Sequence, residues 1–233
     1  MPRLLPVSIW SDIACPWCYV GKRRFEAALA RFEHAAQVEV RWRSFELDPS
    51  APRVRAAQDY AQRLATKYGQ TREQAQTRID QLVSLARADG IALDFKRIQP
   101  GNTFDAHRLL HWAHSQGKQG SLKERLLRAY LSEGEPIGEH TTLLSAVAAV
   151  GLDVDEAQAL LSGDRYADEV RQDEAEARAL GIQGVPCFVL AGRYMIEGAQ
   201  PAETMLLGLQ RAFSELPAPV VADGSVCGPE GCA

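Results

Sequence analysis

Two cysteines enclosing a proline and a tryptophan, Cys15-Pro16-Trp17-Cys18, stand where an extended pattern gives way to a helical one. Upstream, Leu4, Val7 and Ile9 fall at β-compatible positions. Downstream, the helical pattern opens directly after Cys15 with Pro16 in its first turn, where the absent N–H is tolerated. Phe25, Leu29 and Phe32 then share one face while Lys22, Arg23 and Glu33 take the others, as in a helix docked on a sheet. Cys18 lies on the inward side of that helix. Residues 37–45 alternate Val38, Val40, Trp42 and Ser44 against charged neighbours, which predicts a second strand with one buried face. The opening reads strand, helix, strand.

After Pro49 and Pro52 the texture changes to Ala- and Gln-rich, charged helical stretches that run to about Leu180. Thr71 begins a Thr-x-x-Gln capping box and Ser121 a Ser-x-x-Glu one, and each precedes an apolar helical pattern. Strands return in VPCFVLA and YMIEG, joined by a tight turn around Gly192, and Met205, Leu206, Leu209 and Phe213 then share a helical face. The expected class is α/β. Residues 1–48 and 181–215 form one discontinuous domain, 49–180 an inserted all-helical domain, and 216–233 a flexible tail with a Cys-x4-Cys pair. No internal repeat is evident.

The chemistry concentrates on the sulfurs. Amide N–H groups and the dipole at a helix N-terminus favour a thiolate, so Cys15 is the natural nucleophile, open to solvent and substrate. Cys18, one turn inside, is expected to hold its proton more tightly. Two intervening residues permit both the dithiol and the closed disulfide, and hence cycling through a mixed disulfide. The competing readings are half of a zinc knuckle and a pair of inert core cysteines; a zinc ribbon would need a second ligand pair on a compact, turn-rich scaffold. Five cysteines are too few, and odd in number, for a stapled secreted framework. A second signal, Gly184-Val185-Pro186-Cys187-Phe188, opens the returning strand with a proline that removes a ladder donor.

Net charge of −4 offers no footprint for nucleic acid or an anionic membrane surface. No apolar run approaches the roughly 20 residues of a bilayer span. The N-terminal stretch builds no apolar signal core, so a cytoplasmic location is expected.

Several stretches together resemble the DsbA-type thioredoxin-fold proteins, especially their FrnE-like branch. They are SDIACPWCYVGKRRFEAAL, NTFDAHRLLHWA, the Gly-Val-Pro before a hairpin, Gly-Ala-Gln-Pro-Ala-Glu at the last helix, and the terminal Cys227-Gly-Pro-Glu-Gly-Cys232. The resemblance implies a thioredoxin fold interrupted by a helical domain. It implies that Cys15 attacks, Cys18 resolves, and Val185–Pro186 is cis beside the sulfur. Pro16, Trp17, Val185 and Pro186 would then contact substrate, with the Val185 backbone turned toward an extended chain, and the proline would keep metals off the thiols. Two features depart from the family pattern. The intervening dipeptide is Pro-Trp where strongly oxidising members carry Pro-His, which leaves redox direction open. Cys187 follows the proline where an aromatic residue or Thr is more familiar; a buried, inert thiol is expected there, with a third exchange partner as the alternative.

Cys227 and Cys232 flank residues that permit a tight turn, so they could close a small disulfide and relay electrons to Cys15 and Cys18; incidental thiols and a metal-binding tail are the alternatives. His107 and His111 share the i, i+4 spacing of a metal pair, but no second ligand motif supports them, and a surface or domain-packing helix is expected. The acidic run from Asp164 to Glu176 reads as a solvated helix face. The leading expectation is a thiol–disulfide oxidoreductase or isomerase acting on protein or peptide disulfides. It needs no cofactor or metal, is reset by a thiol reductant such as glutathione or thioredoxin, and is open to forming a homodimer. The alternative is a glutathione-dependent small-molecule isomerase or transferase, similar to 2-hydroxychromene-2-carboxylate isomerase or the kappa-class transferases. A third is a non-catalytic thiol or metal-binding protein.

Overall fold

The strand–helix–strand opening is present in a computed structural model that describes residues 3–54 and 59–217. Strand β1 (Leu5–Ser11) runs into helix α1 (Pro16–Ala30), and β2 (Val38–Ser44) returns parallel to β1. Parallel neighbours need a crossover, and α1 supplies it. The hairpin β3 (Cys187–Leu190) and β4 (Tyr194–Glu197) adds antiparallel on the other side of β1, in the order β2-β1-β3-β4. Its turn needs left-handed backbone at Ala191 and Gly192.

The period of two in β1 divides the core. Leu5, Val7 and Ile9 pack with Phe25 of α1 and with Leu209 and Phe213 of the last helix, α9 (Ala202–Ser214). Trp10 faces the other way, against Cys187 and Ala177. Gly21 of α1 lies against Pro186: a Cβ at Gly21 would sit 2.8 Å from the proline Cγ, too close for a rigid ring to accommodate in place.

Between β2 and β3 the chain is helical: α2 (Tyr60–Tyr68), α3 (Arg72–Ala88), α4 (Phe104–Ser115), α5 (Gln119–Arg128), α6 (His140–Ala149), α7 (Val154–Ser162) and α8 (Ala167–Ala179). Thr71 caps α3 in the expected reciprocal box with Gln74. Ser121 does not cap α5. The helix begins earlier, at Gln119, whose side-chain amide exchanges two 2.9 Å hydrogen bonds with the backbone of Trp42 and so ties the first turn to β2. The helical core gathers Leu109, Leu122, Leu126 and Leu160 and reaches Ile13, Tyr19 and Val20 beside the cysteines. Helix α1 therefore serves two cores, with Phe25 in one and Val20 in the other.

Where the helical part meets the sheet, the contact is polar and buried. Asp12, just beyond β1, accepts a 2.8 Å hydrogen bond from the Leu47 N–H and faces His107 of α4, its Oδ1 being 3.4 Å from His107 Nε2. Asp173 of α8 accepts from the Ser44 N–H and Arg43 and contacts His111, while its carbonyl accepts from Trp10 Nε1. One expectation needs correction here and another is narrowed. The 164–176 run is not uniformly solvated: Asp164, Asp168 and Glu169 are exposed, but Asp173 and Glu174 are buried because α8 lies on the sheet. Helix α4 is buried along most of its length, so domain packing and not surface exposure accounts for its histidines. Arg108 closes the end of α7 by donating to the carbonyls of Leu160 and Gly163.

Gly21→Ala should lower stability by about 1–3 kcal/mol through overpacking against Pro186, read by urea denaturation; an unchanged midpoint would mean that the contact is slack. Burial drives the His107 pKa down despite the Asp12 hydrogen bond. The unfolded histidine therefore takes a proton near pH ~6.5 while the folded one resists, and stability falls with pH below that value. Glu46, pushed up to about 7 by burial against the pull of Arg171, acts in the opposite sense. The histidine contribution is accordingly read as a difference. The stability advantage of wild type over His107→Gln should shrink as pH falls from about 8 to about 5, and a constant difference would contradict this assignment.

Candidate active site

Cys15 is the N-cap of α1, with extended backbone (φ −98°, ψ 112°) and no side-chain cap on the first turn. Pro16 at the first helical position has no N–H to satisfy, and the Cys18 N–H donates to the Cys15 carbonyl at 3.0 Å. The two thiols lie against one another as a hydrogen-bonded pair. Cys15 is 5% exposed and Cys18 fully buried, so Cys15 is not the open, solvent-washed thiol expected at a helix cap. The reason is coverage from the hairpin and the helical insertion. The Val185–Pro186 bond is cis, as the family resemblance implies, and the Cys15 thiol donates to the Val185 carbonyl at 3.5 Å.

The electrostatics also differ from the expected order of proton affinities. The Cys15 thiol is raised well above the ordinary value by its hydrogen bond to Cys18 and by burial. Burial opposes charge on Cys18 too. There it is outweighed by the Cys15 thiol, the Lys123 ammonium, the Ser11 hydroxyl and the Asp12 backbone N–H, and the Cys18 pKa is lowered. These opposed directions mean that negative charge on the ionised pair is drawn toward Cys18 and away from Cys15. The helix N-terminus still acts on Cys15 through the Cys18 N–H, but it is the weaker influence while the thiols touch.

Beside Cys15 a cavity of about 1080 Å³ opens between the cysteine motif and helices α2 and α3. Trp17, 42% exposed, stands at its rim with Pro16, and Tyr60, Arg63, Arg78 and Phe95 line the helical side. Val185 is half-buried beside the sulfur and Pro186 is buried against Gly21. The structure thus brings Cys15, Cys18, Pro16, Trp17, Val185 and Pro186 together. Cys187 belongs elsewhere: it packs on the opposite face of the sheet next to Trp10, and burial pushes its thiol up to about 11, which leaves it protonated and inert at neutral pH. Cys227 and Cys232 lie outside the described residues.

Three residues of the site escaped sequence reasoning. Asp12 precedes the motif by three positions and reads as a turn residue. Ser11 ends β1. Lys123 lies in SLKERLL, where a charged residue is ordinarily solvent-facing. His107 and His111 were singled out by spacing, but their partners are Asp12 and Asp173, and no group of three or more metal-ligating side chains occurs among the described residues. Nor is any described helix long and apolar enough to cross a membrane.

Comparison with known proteins agrees with this geometry. A model of the DSBA-like thioredoxin domain matches residues 6–210. A crystal structure of a probable DsbA oxidoreductase from Streptomyces coelicolor is 45% identical, covers 98% of each chain and superposes with a TM-score of 0.86. The uncharacterized protein YwbO of Bacillus subtilis is 30% identical over 196 residues, 83% of this chain and 90% of its own. The cytosolic disulfide reductase DsbM of Pseudomonas aeruginosa shares the fold at 18% identity and a TM-score of 0.57, covering 90% of this chain and 95% of its own. A thioredoxin fold with a helical insertion, and a cysteine pair at the head of its first helix, place this chain in the DSBA-like thioredoxin domain family.

Proposed function

We propose that the protein is a thiol–disulfide oxidoreductase or isomerase that acts on protein or peptide disulfides through a Cys15–Cys18 dithiol/disulfide cycle. The observation that carries this reading is the placement of Cys15 between the Val185 carbonyl and a cavity large enough for an extended peptide segment. In the reducing direction Cys18 takes the shared proton as the Cys15 sulfur attacks one substrate sulfur. The substrate S–S bond breaks, a Cys15–substrate disulfide forms, and the departing thiolate is protonated from solvent. Cys18 then loses its proton and attacks Cys15 Sγ, which closes the internal disulfide and releases the second substrate thiol. Two electrons pass from the pair to the substrate, so a thiol reductant such as glutathione or thioredoxin must reset the enzyme. Isomerisation uses the same first step and returns the mixed disulfide to a different substrate sulfur.

A reducing, cytoplasmic setting suits net reduction or isomerisation. In the FrnE-like reading, Cys227 and Cys232 form an accessory pair that relays electrons to or from Cys15 and Cys18. One observation favours the glutathione-dependent small-molecule reading: the cavity reaches the upper range of small-ligand sites, and Arg63 and Arg78 could face carboxylates. The fate of Cys18 separates the two, because a transferase or isomerase of that type needs one thiol and dithiol chemistry needs both.

Reduction of insulin or of a cysteine-bridged peptide by Cys15→Ser should fall to background. Cys18→Ala should lose turnover and accumulate a Cys15–substrate adduct visible by mass spectrometry. Full turnover by Cys18→Ala with glutathione would overturn the dithiol reading in favour of the second one.

A further inference from the structure

Lys123 of α5 is fully buried and interacts electrostatically with both motif cysteines. Among the described residues its Nζ makes one hydrogen bond, a long 3.4 Å contact to the Ser11 carbonyl, and lies 5.6 Å over the Trp42 ring. It has no carboxylate within ion-pair distance among those residues, an arrangement that a buried ammonium tolerates poorly unless another negative charge faces it. The backbone around it leaves little freedom. One turn earlier Gln119 clamps the Trp42 peptide, and the next residue, Glu124, is held by Lys22 at 2.7 Å and by Arg23 and Tyr19 of α1. Helix α5 is thus pinned to β2 on one side and to α1 on the other, with Lys123 between them.

Charged and titratable groups face Lys123 from several elements. Cys15 and Cys18 face it from α1, Asp12 from the end of β1, Lys22 from the next turn of α1, and His107 from α4. Asp12 is already engaged by His107 and by the Leu47 N–H. Two negative charges therefore face Lys123, that of Asp12, which also has these two hydrogen-bond partners, and that of the ionised dithiol. A second observation points to the same place: the Ser11 hydroxyl is buried without an oxygen or nitrogen partner and borders the Cys18 sulfur, where a thiolate would accept from it. Burial brings the Lys123 amine down to about 8, held up chiefly by Cys18 and Asp12, so its proton and that of the thiol pair are linked.

We propose that Lys123, a residue of the helical insertion, is the counter-ion of the Cys15–Cys18 pair and, with the Ser11 hydroxyl, holds the negative charge of the reduced dithiol. This rests on the dithiol reading above. Lys123 is a positioning residue in this account: it touches no substrate and acts through the ease with which the pair ionises. Because a stabilised thiolate favours the reduced protein, the insertion sets redox poise as well as substrate access.

The test uses the full-length protein and iodoacetamide alkylation of the reduced pair across a pH series, with each sulfur followed by mass spectrometry. Lys123→Met should raise the midpoint by about one unit or more and slow alkylation at pH ~7 about tenfold, and the glutathione equilibrium should shift toward the disulfide. Lys123→Arg, which keeps the charge, should recover part of the rate. A midpoint unchanged in a Met variant that melts normally, or Met and Arg variants equally slow, would overturn the proposal. Lys123→Gln replaces the Met variant if that one does not fold. An NMR titration of the labelled lysine in wild type needs no variant: the Lys123 amine should release its proton at lower pH in the oxidised protein than in the reduced one, and identical titrations would overturn the assignment. A wild-type pair that forms no disulfide at any glutathione ratio would defeat the dithiol reading, while the alkylation profile would still judge Lys123.

Discussion

A negative charge taken out of water must find its compensation inside the protein, and two such charges meet at the junction of the sheet with the helical insertion. One is the Asp12 carboxylate. The other is the charge that the Cys15–Cys18 pair takes on when it ionises. Isolated, either would meet a desolvation penalty of several kcal/mol. Both meet a group of the insertion, a hydrogen bond with His107 of α4 for the first and, in the proposed account, the Lys123 ammonium of α5 for the second. The insertion is therefore part of the thioredoxin unit's electrostatics. Helices α4 and α5 carry these two partners, and Gln119 and Glu124 anchor α5 on both sides of Lys123.

This arrangement divides the work between the two parts of the molecule. The sheet and α1 present the sulfurs and the Val185 carbonyl, which are geometric requirements of exchange. The insertion roofs the site and forms the far wall of the cavity with Tyr60, Arg63 and Phe95. Cover from that side changes the chemistry at Cys15. An exposed thiol at a helix N-terminus would ionise through the peptide N–H groups. In the proposed cycle a buried one touching a second sulfur shares its proton instead, and attack on a substrate becomes a transfer of that proton to Cys18 as the new bond forms.

Sequence patterning reached the architecture because its signals are local. A period of two in β1 and β2, proline at the first position of α1, the Thr71 box and the Gly192 turn each follow from neighbouring residues, and each is found in place. The motif cysteines and the Val185–Pro186 segment were legible for the same reason, helped by a resemblance that spans most of the chain. What stayed hidden depends on residues far apart in the chain. Asp12 and His107 are 95 positions apart, Lys123 and Ser11 are 112 apart, and Asp173 becomes buried only because α8 lies on β2. No periodicity marks a lysine as buried when its helix carries charge on several faces. The early start of α5 was missed likewise, since the Gln119 clamp draws its partner from another element.

The account turns on a single proton shared by two sulfurs, and the pH dependence of the reduction potential of the Cys15–Cys18 pair tests it most directly. A two-electron couple changes by about 59 mV per pH unit where reduction takes up two protons, and by about 30 mV where it takes up one. The shared charge predicts a break from the steeper to the shallower slope below the ordinary thiol value of about 8.5, the shallower segment lasting until the oxidised protein releases the linked Lys123 proton. A slope of about 59 mV per unit with no shallower segment anywhere below that value would show two ordinary thiols and contradict the account.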